Sequence, residues 1–263
     1  MTPTDNTAPV ATSSPGTGEA VRIAMWSGPR NLSTALMRSF GSRADCAVWD
    51  EPFYAAYLAA TGLDHPMRDE VIAAGETDPA AVARACLGPV PGGRPVFYQK
   101  HMTHHMLPGF PLDWMDAVVN VFLIRDPARV VASYRAKREN PTLADLGFLQ
   151  QQALFERIAD RLGAAPPVID ATRLLADPAG VLAALCARIG IAFDPAMLSW
   201  AAGPRPEDGG WGPHWYRAGR ASTGFAPPED APPPLDADGA RLAEQATPSY
   251  RALLAHAIAP AAA

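Results

Sequence analysis

Short segments that are mostly apolar, without a polar residue at every second position, alternate in this chain with longer segments of helical periodicity. A strand that is apolar on both faces is typical of a parallel sheet covered by helices on both sides. The predicted strands are residues 21–26, 46–49, 95–99, 118–124 and 167–170. The predicted helices are residues 32–40, 52–60, 79–87, 127–138, 143–162, 178–189 and 240–258, the last with a break at Pro248. This alternation predicts an α/β fold of three layers (α/β/α) around a central parallel sheet.

Length, charge and cysteine content limit the organisation of this fold. The chain has 263 residues, 48% of them hydrophobic, and we expect one domain over residues 21–263 after a disordered tail over residues 1–20. A net charge of −5 (22 basic against 27 acidic residues) gives no sign of a nucleic-acid partner. The sequence has neither an apolar run long enough to span a membrane nor a CxxC pair among its three cysteines, which favours a cytoplasmic protein with reduced thiols.

The stretch RIAMWSGPRNLSTAL places a loop of small and polar residues between the first strand and the first helix. The N–H groups and the dipole at the start of a helix favour an anion. The loop does not match the ATP-binding pattern GxxxxGK[ST] counted from Gly28, because Ser33, Thr34 and Ala35 replace its last three residues. A P-loop kinase is therefore disfavoured, whereas Arg30, Ser33 and Thr34 suit an anion. An ordinary strand-to-helix turn is the alternative.

A second candidate for anion binding follows the fourth strand, in VVNVFLIRDPARVVASY. Arg125 ends this strand, and the carboxyl ends of parallel strands form the ligand-binding edge of such a sheet. Asp126 and Pro127 predict the start of the next helix, as its N-cap and its first residue. Ser133 lies further along the same helix. The alternative role for Arg125 is a salt bridge to an acid such as Asp126.

These segments together resemble the P-loop sulfotransferase family, whose members use 3′-phosphoadenosine-5′-phosphosulfate (PAPS) as donor. SGPRNLST resembles the family's loop for the 5′-phosphosulfate, with Arg30 in place of the more common lysine, and FLIRDPARVVASY resembles its 3′-phosphate segment. The segments DEPFYAAYLAATG, YQKHM and AGPRPEDGGWGPHWYRAGRASTGF are similar to a subgroup whose plant relatives carry this domain before a branched-chain aminotransferase-like domain. The resemblance covers roughly residues 21–225.

The resemblance implies an enzyme that transfers a sulfuryl group from PAPS to a hydroxyl or amine of a small-molecule acceptor, without a metal. It implies that Arg125 and Ser133 bind the 3′-phosphate, with Arg217 or Arg220 closing from a late loop. The loop residues implied in nucleotide binding are Ser27, Gly28, Pro29, Arg30, Asn31, Leu32, Ser33 and Thr34. Arg30 is also expected to stabilise the leaving group, because a guanidinium offers two parallel hydrogen bonds to phosphate. A non-catalytic nucleotide-sensing or interaction module of the same fold is the rival hypothesis.

The base that would deprotonate the acceptor is open between Glu51 and His101. Glu51 follows the second strand at the same edge of the sheet, and Lys100 and His101 are expected just past the third strand. The family has a Lys-x-His arrangement there, whereas His101 directly follows Lys100. An unperturbed histidine is the better base at neutral pH, and burial would favour a glutamate. His104 and His105 lie on a predicted helix without a nearby acid or cysteine, so no metal site is predicted.

Overall fold

The computed structural model describes residues 19–136, 141–212, 216–228 and 230–261. Within these ranges, five strands form one sheet in the order β2-β3-β1-β4-β5, and every neighbouring pair is parallel. The strands are β1 (Val21–Ser27), β2 (Cys46–Asp50), β3 (Val96–Met102), β4 (Val119–Ile124) and β5 (Val168–Asp170). The predicted parallel sheet is therefore confirmed, with each predicted strand at its place.

Helices cover both faces of the sheet. The first nine are α1 (Ser33–Gly41), α2 (Tyr54–Thr61), α3 (Arg68–Ala74), α4 (Pro79–Cys86), α5 (Pro127–Arg135), α6 (Leu143–Leu146), α7 (Phe148–Leu162), α8 (Ala171–Ala176) and α9 (Pro178–Arg188). A short late helix (Arg217–Ala221) and a C-terminal helix (Ala237–Leu254) follow. Short 3₁₀ helices lie at Pro91–Gly93, Thr103–His105, Asp113–Ala117 and Pro195–Leu198. None of the described helices is both long and apolar enough to cross a membrane.

Successive side chains of the central strands enter two separate hydrophobic cores. In β1, Ile23 and Met25 pack with α1 and α9, whereas Ala24 and Trp26 pack with α4, α7 and the C-terminal helix. All four side chains are completely buried. Helices therefore cover apolar side chains on both faces of β1, and the chain folds as three layers.

Two of the helix starts form as the sequence predicts. α5 begins at Pro127, and the Asp126 carboxylate accepts a hydrogen bond from the N–H of Arg129 at 3.2 Å. α9 begins at Pro178, and Asp177 accepts from the N–H of Gly180 at 2.9 Å. Each aspartate satisfies one of the N–H groups that a helix start leaves without a partner.

The structure corrects the predicted end of the third strand. β3 continues to Met102, because its pairing with β1 runs on to the pair Ser27 and Met102. Lys100 and His101 therefore lie inside the strand and not past it. His104 and His105 belong to the short 3₁₀ helix that follows.

Two predicted helices also differ from the structure. The segment 143–162 forms α6 and α7, which are separated by Gly147 with a left-handed φ of 73°. The C-terminal helix continues through Pro248, so the predicted break there is wrong. Packing against α5 and α7 holds this helix together despite the proline. Residues 1–18 of the predicted tail and residues 137–138 of a predicted helix lie outside the described residues.

Candidate active site

The carboxyl ends of β1, β2, β3 and β4 meet around one cavity of about 680 Å³. β1 lies at the centre of the sheet with β3 on one side and β4 on the other, and such a change of direction in strand order opens a crevice for ligands. The predicted site residues that line the cavity are Pro29, Arg30, Asn31, Leu32, Ser33, Thr34, Glu51, Lys100, Arg125 and Ser133. The structure therefore brings most of the predicted site together.

The loop between β1 and α1 has an unusual backbone. Arg30 and Leu32 both have a φ of 64°, in the left-handed region that non-glycine residues seldom adopt. Such conformations cost on the order of 1–3 kcal/mol each and concentrate at functional sites. The Asn31 amide donates to the Leu123 carbonyl at 3.2 Å and so ties the loop to β4. Through this turn, Ser33 and Thr34 begin α1 at the wall of the cavity.

Ser27 and Gly28 support the loop from behind and do not line the cavity. Ser27 is completely buried, and its hydroxyl lies 3.8 Å from the sulfur of Met102. A Cβ at Gly28 would lie 2.5 Å from the carbonyl oxygen of Leu146. Only glycine therefore allows the loop to approach the end of α6 this closely.

Two arginines stand side by side at the start of α1. The Arg30 Nε donates to the Ser133 hydroxyl at 3.0 Å, and an Arg125 Nη1 donates to the Arg30 carbonyl at 2.8 Å. Burial, together with the nearby charge of Arg125, lowers the pKa of Arg30 from its ordinary value. An arginine keeps its proton even so, and a bound anion would relieve the repulsion between the two cations. This half of the cavity is thus suited to phosphate or sulfate groups.

The opposite half is built around Lys100, which is 1% exposed. Lys100 donates to Asp50 Oδ1 at 2.8 Å, to the Tyr216 hydroxyl at 2.7 Å and to Glu51 Oε1 at close range. Burial disfavours its charge, but the carboxylates of Asp50 and Glu51 outweigh burial and raise the pKa of Lys100. The Tyr216 hydroxyl donates in turn to Asp50 Oδ2 at 2.7 Å. Burial raises the pKa of Asp50.

His101 lies on the other face of the sheet, because neighbouring residues of a strand point in opposite directions. Its ring stacks on Trp26 with the centroids 4.6 Å apart, and its Nε2 pairs with Gln99 Oε1 at 3.2 Å. Burial lowers the pKa of His101 to about 3, so the ring is neutral. His101 does not line the cavity. Of the two candidate bases, the structure brings only Glu51 to the site.

The late segment forms another wall of the cavity through Gly219 and residues 221–226. Arg220 is directed elsewhere: its Nε donates at 3.2 Å to Asp208 Oδ2. The same carboxylate accepts two hydrogen bonds, of 3.0 and 3.1 Å, from an Nη2 of the buried Arg38. The side chain of Arg217 lies outside the described part of the structure.

Several residues of the site were not identified from the sequence. They are Asp50, the hydroxyl group of Tyr216, and Tyr54 with its contacts to His65 and His105. The Tyr54 hydroxyl and His65 Nδ1 are 3.1 Å apart, and the rings of Tyr54 and His105 stack at 4.8 Å. Asp50 did leave a signal, as a carboxylate at the end of a buried strand. Among the described residues, no three His, Cys, Asp or Glu side chains are grouped to hold a metal ion.

Comparison with known proteins identifies the class to which this arrangement belongs. The sequence profile described as "Sulfotransferase domain" matches residues 21–257, and the chain belongs to that family. It is 38% identical over 234 residues to the branched-chain-amino-acid aminotransferase-like protein 1 of Arabidopsis thaliana, and 37% identical to protein 2 of the same plant. These alignments cover 89% of this chain but 42% and 41% of the plant proteins, so the chain spans about two-fifths of their length. The subgroup indicated by the motifs is thereby confirmed.

Two solved structures to which this chain is similar are sulfotransferase domains. The domain from the Synechococcus PCC 7002 olefin synthase has a TM-score of 0.50 and 18% identity, over 87% of this chain and 94% of its own. The domain from the curacin biosynthetic pathway has a TM-score of 0.47 and 17% identity, over 87% and 98%. The first of these likenesses supports the three-layer fold.

Proposed function

We propose that this chain is a sulfotransferase that moves a sulfuryl group from PAPS to a hydroxyl or amine of a small-molecule acceptor. One observation carries the proposal. A single cavity joins the cationic start of α1, with Arg30 and Arg125, to a carboxylate, Glu51, on the neighbouring strand end. The first half suits the anionic groups of a nucleotide donor, and the second suits removal of a proton from an acceptor.

In this proposal the cationic half binds the donor, which supplies the sulfuryl group. Ser33 and Thr34, at the first turn of α1, offer backbone and hydroxyl donors beside Arg30. Arg30 is placed to stabilise negative charge that develops on the leaving oxygen. Arg125 and Ser133 would hold the 3′-phosphate, and both line the cavity next to Arg30.

Glu51 is the proposed base. Its Oε1 accepts from Lys100 and lies 3.1 Å from the Tyr216 hydroxyl. Those contacts use one carboxylate oxygen, and the other oxygen is the one available to accept the proton of the acceptor. Lys100 then fixes the orientation of the carboxylate, as a base requires.

Calorimetry with three nucleotides tests the proposed donor site. Each hydrogen bond to a charged group contributes about 1.5–3 kcal/mol. Two such bonds to a 3′-phosphate should favour adenosine 3′,5′-bisphosphate over 5′-AMP by about 10²-fold or more, since each 1.4 kcal/mol is tenfold. Arg125→Ala should remove most of this preference and leave 5′-AMP binding nearly unchanged. Arg84→Ala, at an arginine whose side chain is 72% exposed on α4, is the matched control.

The same experiment separates the alternative functions. Equal affinity for adenosine 3′,5′-bisphosphate and 5′-AMP would contradict the 3′-phosphate site. Tight binding of ATP with magnesium would favour a kinase, despite Thr34 and Ala35 in the loop. A clear preference for the bisphosphate, without transfer of labelled sulfuryl from PAPS to any compound in an acceptor screen, would favour a nucleotide-sensing module.

A further inference from the structure

The lysine that holds the proposed base is shared with a second carboxylate, which the reaction itself does not require. A lysine ammonium has three N–H donors, and the three hydrogen bonds of Lys100 go to Asp50, Glu51 and Tyr216. Asp50 faces Lys100 directly in the register of β2 and β3. Asp50 is 3% exposed and does not line the cavity, so it is not placed to touch a ligand.

We propose that Asp50 is a positioning residue that divides the charge of Lys100 with Glu51 and thereby leaves the Glu51 carboxylate able to accept a proton. The inference rests on the proposed function for its catalytic meaning. The division of charge is a property of the fold alone and can be measured without turnover.

Lys100 contacts both carboxylates, whereas the Tyr216 hydroxyl lies nearer to Asp50 than to Glu51. The single proton of the Tyr216 hydroxyl has two carboxylates within reach, Asp50 Oδ2 at 2.7 Å and Glu51 Oε1 at 3.1 Å. The shorter distance indicates that the proton is given to Asp50. The N–H of Gly209 also points to Asp50 Oδ2, at 3.4 Å.

An ammonium that pairs with a single carboxylate stabilises the charged form of that carboxylate, which makes the carboxylate a poor base. A second carboxylate on the same ammonium reduces that stabilisation and adds a like charge beside the first. The charged or titratable groups that face Glu51 or share its cavity are Asp50, Lys100, Tyr216, Arg30, Arg125, His65, His104, His105, Tyr54 and Tyr134. Of these, Lys100 and Tyr216 lie within hydrogen-bond distance of Glu51 in the described structure, and both also contact Asp50.

The first test is a titration of Lys100 by NMR. The chain has two lysines, Lys100 and Lys137, so ¹⁵N-lysine labelling gives two ammonium signals, which Lys137→Arg assigns. Asp50→Asn should move the Lys100 titration midpoint to lower pH by at least as much as Glu51→Gln does. Asp170→Asn is the matched control, because Asp170 is also 3% exposed at a strand end but does not contact Lys100. A midpoint that falls with Glu51→Gln and not with Asp50→Asn would overturn the proposal.

The second test uses turnover. Because the acceptor is unidentified, the probes are 2-naphthol and water, with labelled PAPS as donor. Asp50→Asn should lower kcat about tenfold or more, with the KM for PAPS unchanged, and should move the acid limb of the pH–rate profile to lower pH. In Asp50→Asn the Lys100 ammonium would pair with the Glu51 carboxylate alone. The double variant Asp50→Asn/Lys100→Met removes this ammonium and should therefore recover part of the lost kcat.

A merely structural role for Asp50 predicts the opposite, since a second buried substitution would lower kcat further. A double variant no faster than Asp50→Asn would therefore overturn the proposal, provided that circular dichroism shows both to be folded. If Asp50→Asn does not fold, the acid limb of Lys100→Met decides, because it must move to higher pH. A parent protein without any transfer would refute the proposed function, while the Lys100 titration would still decide whether the charge is divided.

Discussion

Arg30 is held at both its backbone and its side chain by the residues proposed to bind the donor with it. Its carbonyl accepts from Arg125, and its Nε donates to Ser133. Its left-handed φ of 64° directs the chain between these two partners. The guanidinium is therefore preorganised before any ligand arrives, which is the condition under which a fixed charge stabilises a transition state most effectively.

Arg30→Ala should reduce turnover far more than stability. Loss of one donor to the developing charge costs about 10²–10³ in kcat. The free energy of unfolding should change little or rise, because the substitution removes one of two neighbouring half-buried cations. The measurements are labelled-PAPS turnover and urea denaturation, with Arg84→Ala as the surface control. Turnover close to that of the parent would contradict the role of Arg30.

The sequence predicted which residues gather at the edge of the sheet better than it predicted the face of the sheet on which a side chain lies. Arg30, Arg125 and Glu51 follow strands, and the common edge of a parallel sheet brings them together, as predicted. Lys100 and His101 show what local sequence leaves undecided. They are neighbours in β3, so one faces the cavity and the other an aromatic cluster. The register with β1 selects the face, and that register depends on contacts distant in sequence.

At the scale of elements, the loop between β1 and α1 is supported by the junction of α6 and α7. Gly28 and Gly147 approach so closely that a Cβ at Gly147 would lie 3.5 Å from the Cα of Gly28 and 2.8 Å from Thr103 Oγ1. The Thr103 hydroxyl donates to the Gly147 carbonyl at 3.1 Å. The loop and the two helices are thus in direct backbone contact, and the Thr103 hydroxyl is hydrogen-bonded at the junction.

Gly28→Ala should loosen this junction. The new methyl would lie 2.5 Å from a backbone oxygen, which cannot turn aside as a flexible side chain would. Overpacking of this kind typically costs about 1–3 kcal/mol, and we expect that loss in the free energy of unfolding together with weaker binding of adenosine 3′,5′-bisphosphate. Gly210→Ala is the control, because a Cβ there would meet nothing within 4 Å. Equal stability of the two variants would show that the junction tolerates a side chain.

Prediction from sequence succeeded for the elements whose signals are local. The buried strands and the caps at Asp126 and Asp177 belong to this group. It failed at Pro248, because tertiary packing outweighs a cost of about 3 kcal/mol for a proline inside a helix. The Thr247 hydroxyl donates to the Ala243 carbonyl at 2.8 Å in the same turn. The break between α6 and α7 at Gly147 was also not predicted, because it depends on contacts with Gly28 and Thr103, which lie on other elements.

At the scale of the whole molecule, two buried histidines link folding to pH. His101 and His105 are 1% and 2% exposed, and burial lowers the pKa of His101 to about 3 and that of His105 well below its ordinary 6.5. Both rings are therefore neutral in the folded protein. In the unfolded chain each would bind a proton below about pH 6.5. Between pH 6.5 and about 3, the unfolded chain therefore holds more protons than the folded protein.

It follows that the contribution of these two histidines to the free energy of unfolding is fully present above pH 6.5 and is lost as the pH falls below that value. Each histidine should add a slope of up to about 1.4 kcal/mol per pH unit to the free energy of unfolding. The measurement is urea denaturation between pH 5 and 7.5, above the range in which ordinary carboxylates titrate. His101→Leu should make the pH dependence of the free energy of unfolding shallower, even where it lowers stability overall. The variant has one buried neutral histidine fewer, so fewer protons are taken up on unfolding. His256→Gln, at an exposed histidine, is the comparison variant. An unchanged slope in His101→Leu would mean that His101 is protonated in the folded protein, and the ring could not then remain packed against Trp26 beside the charge of Lys100.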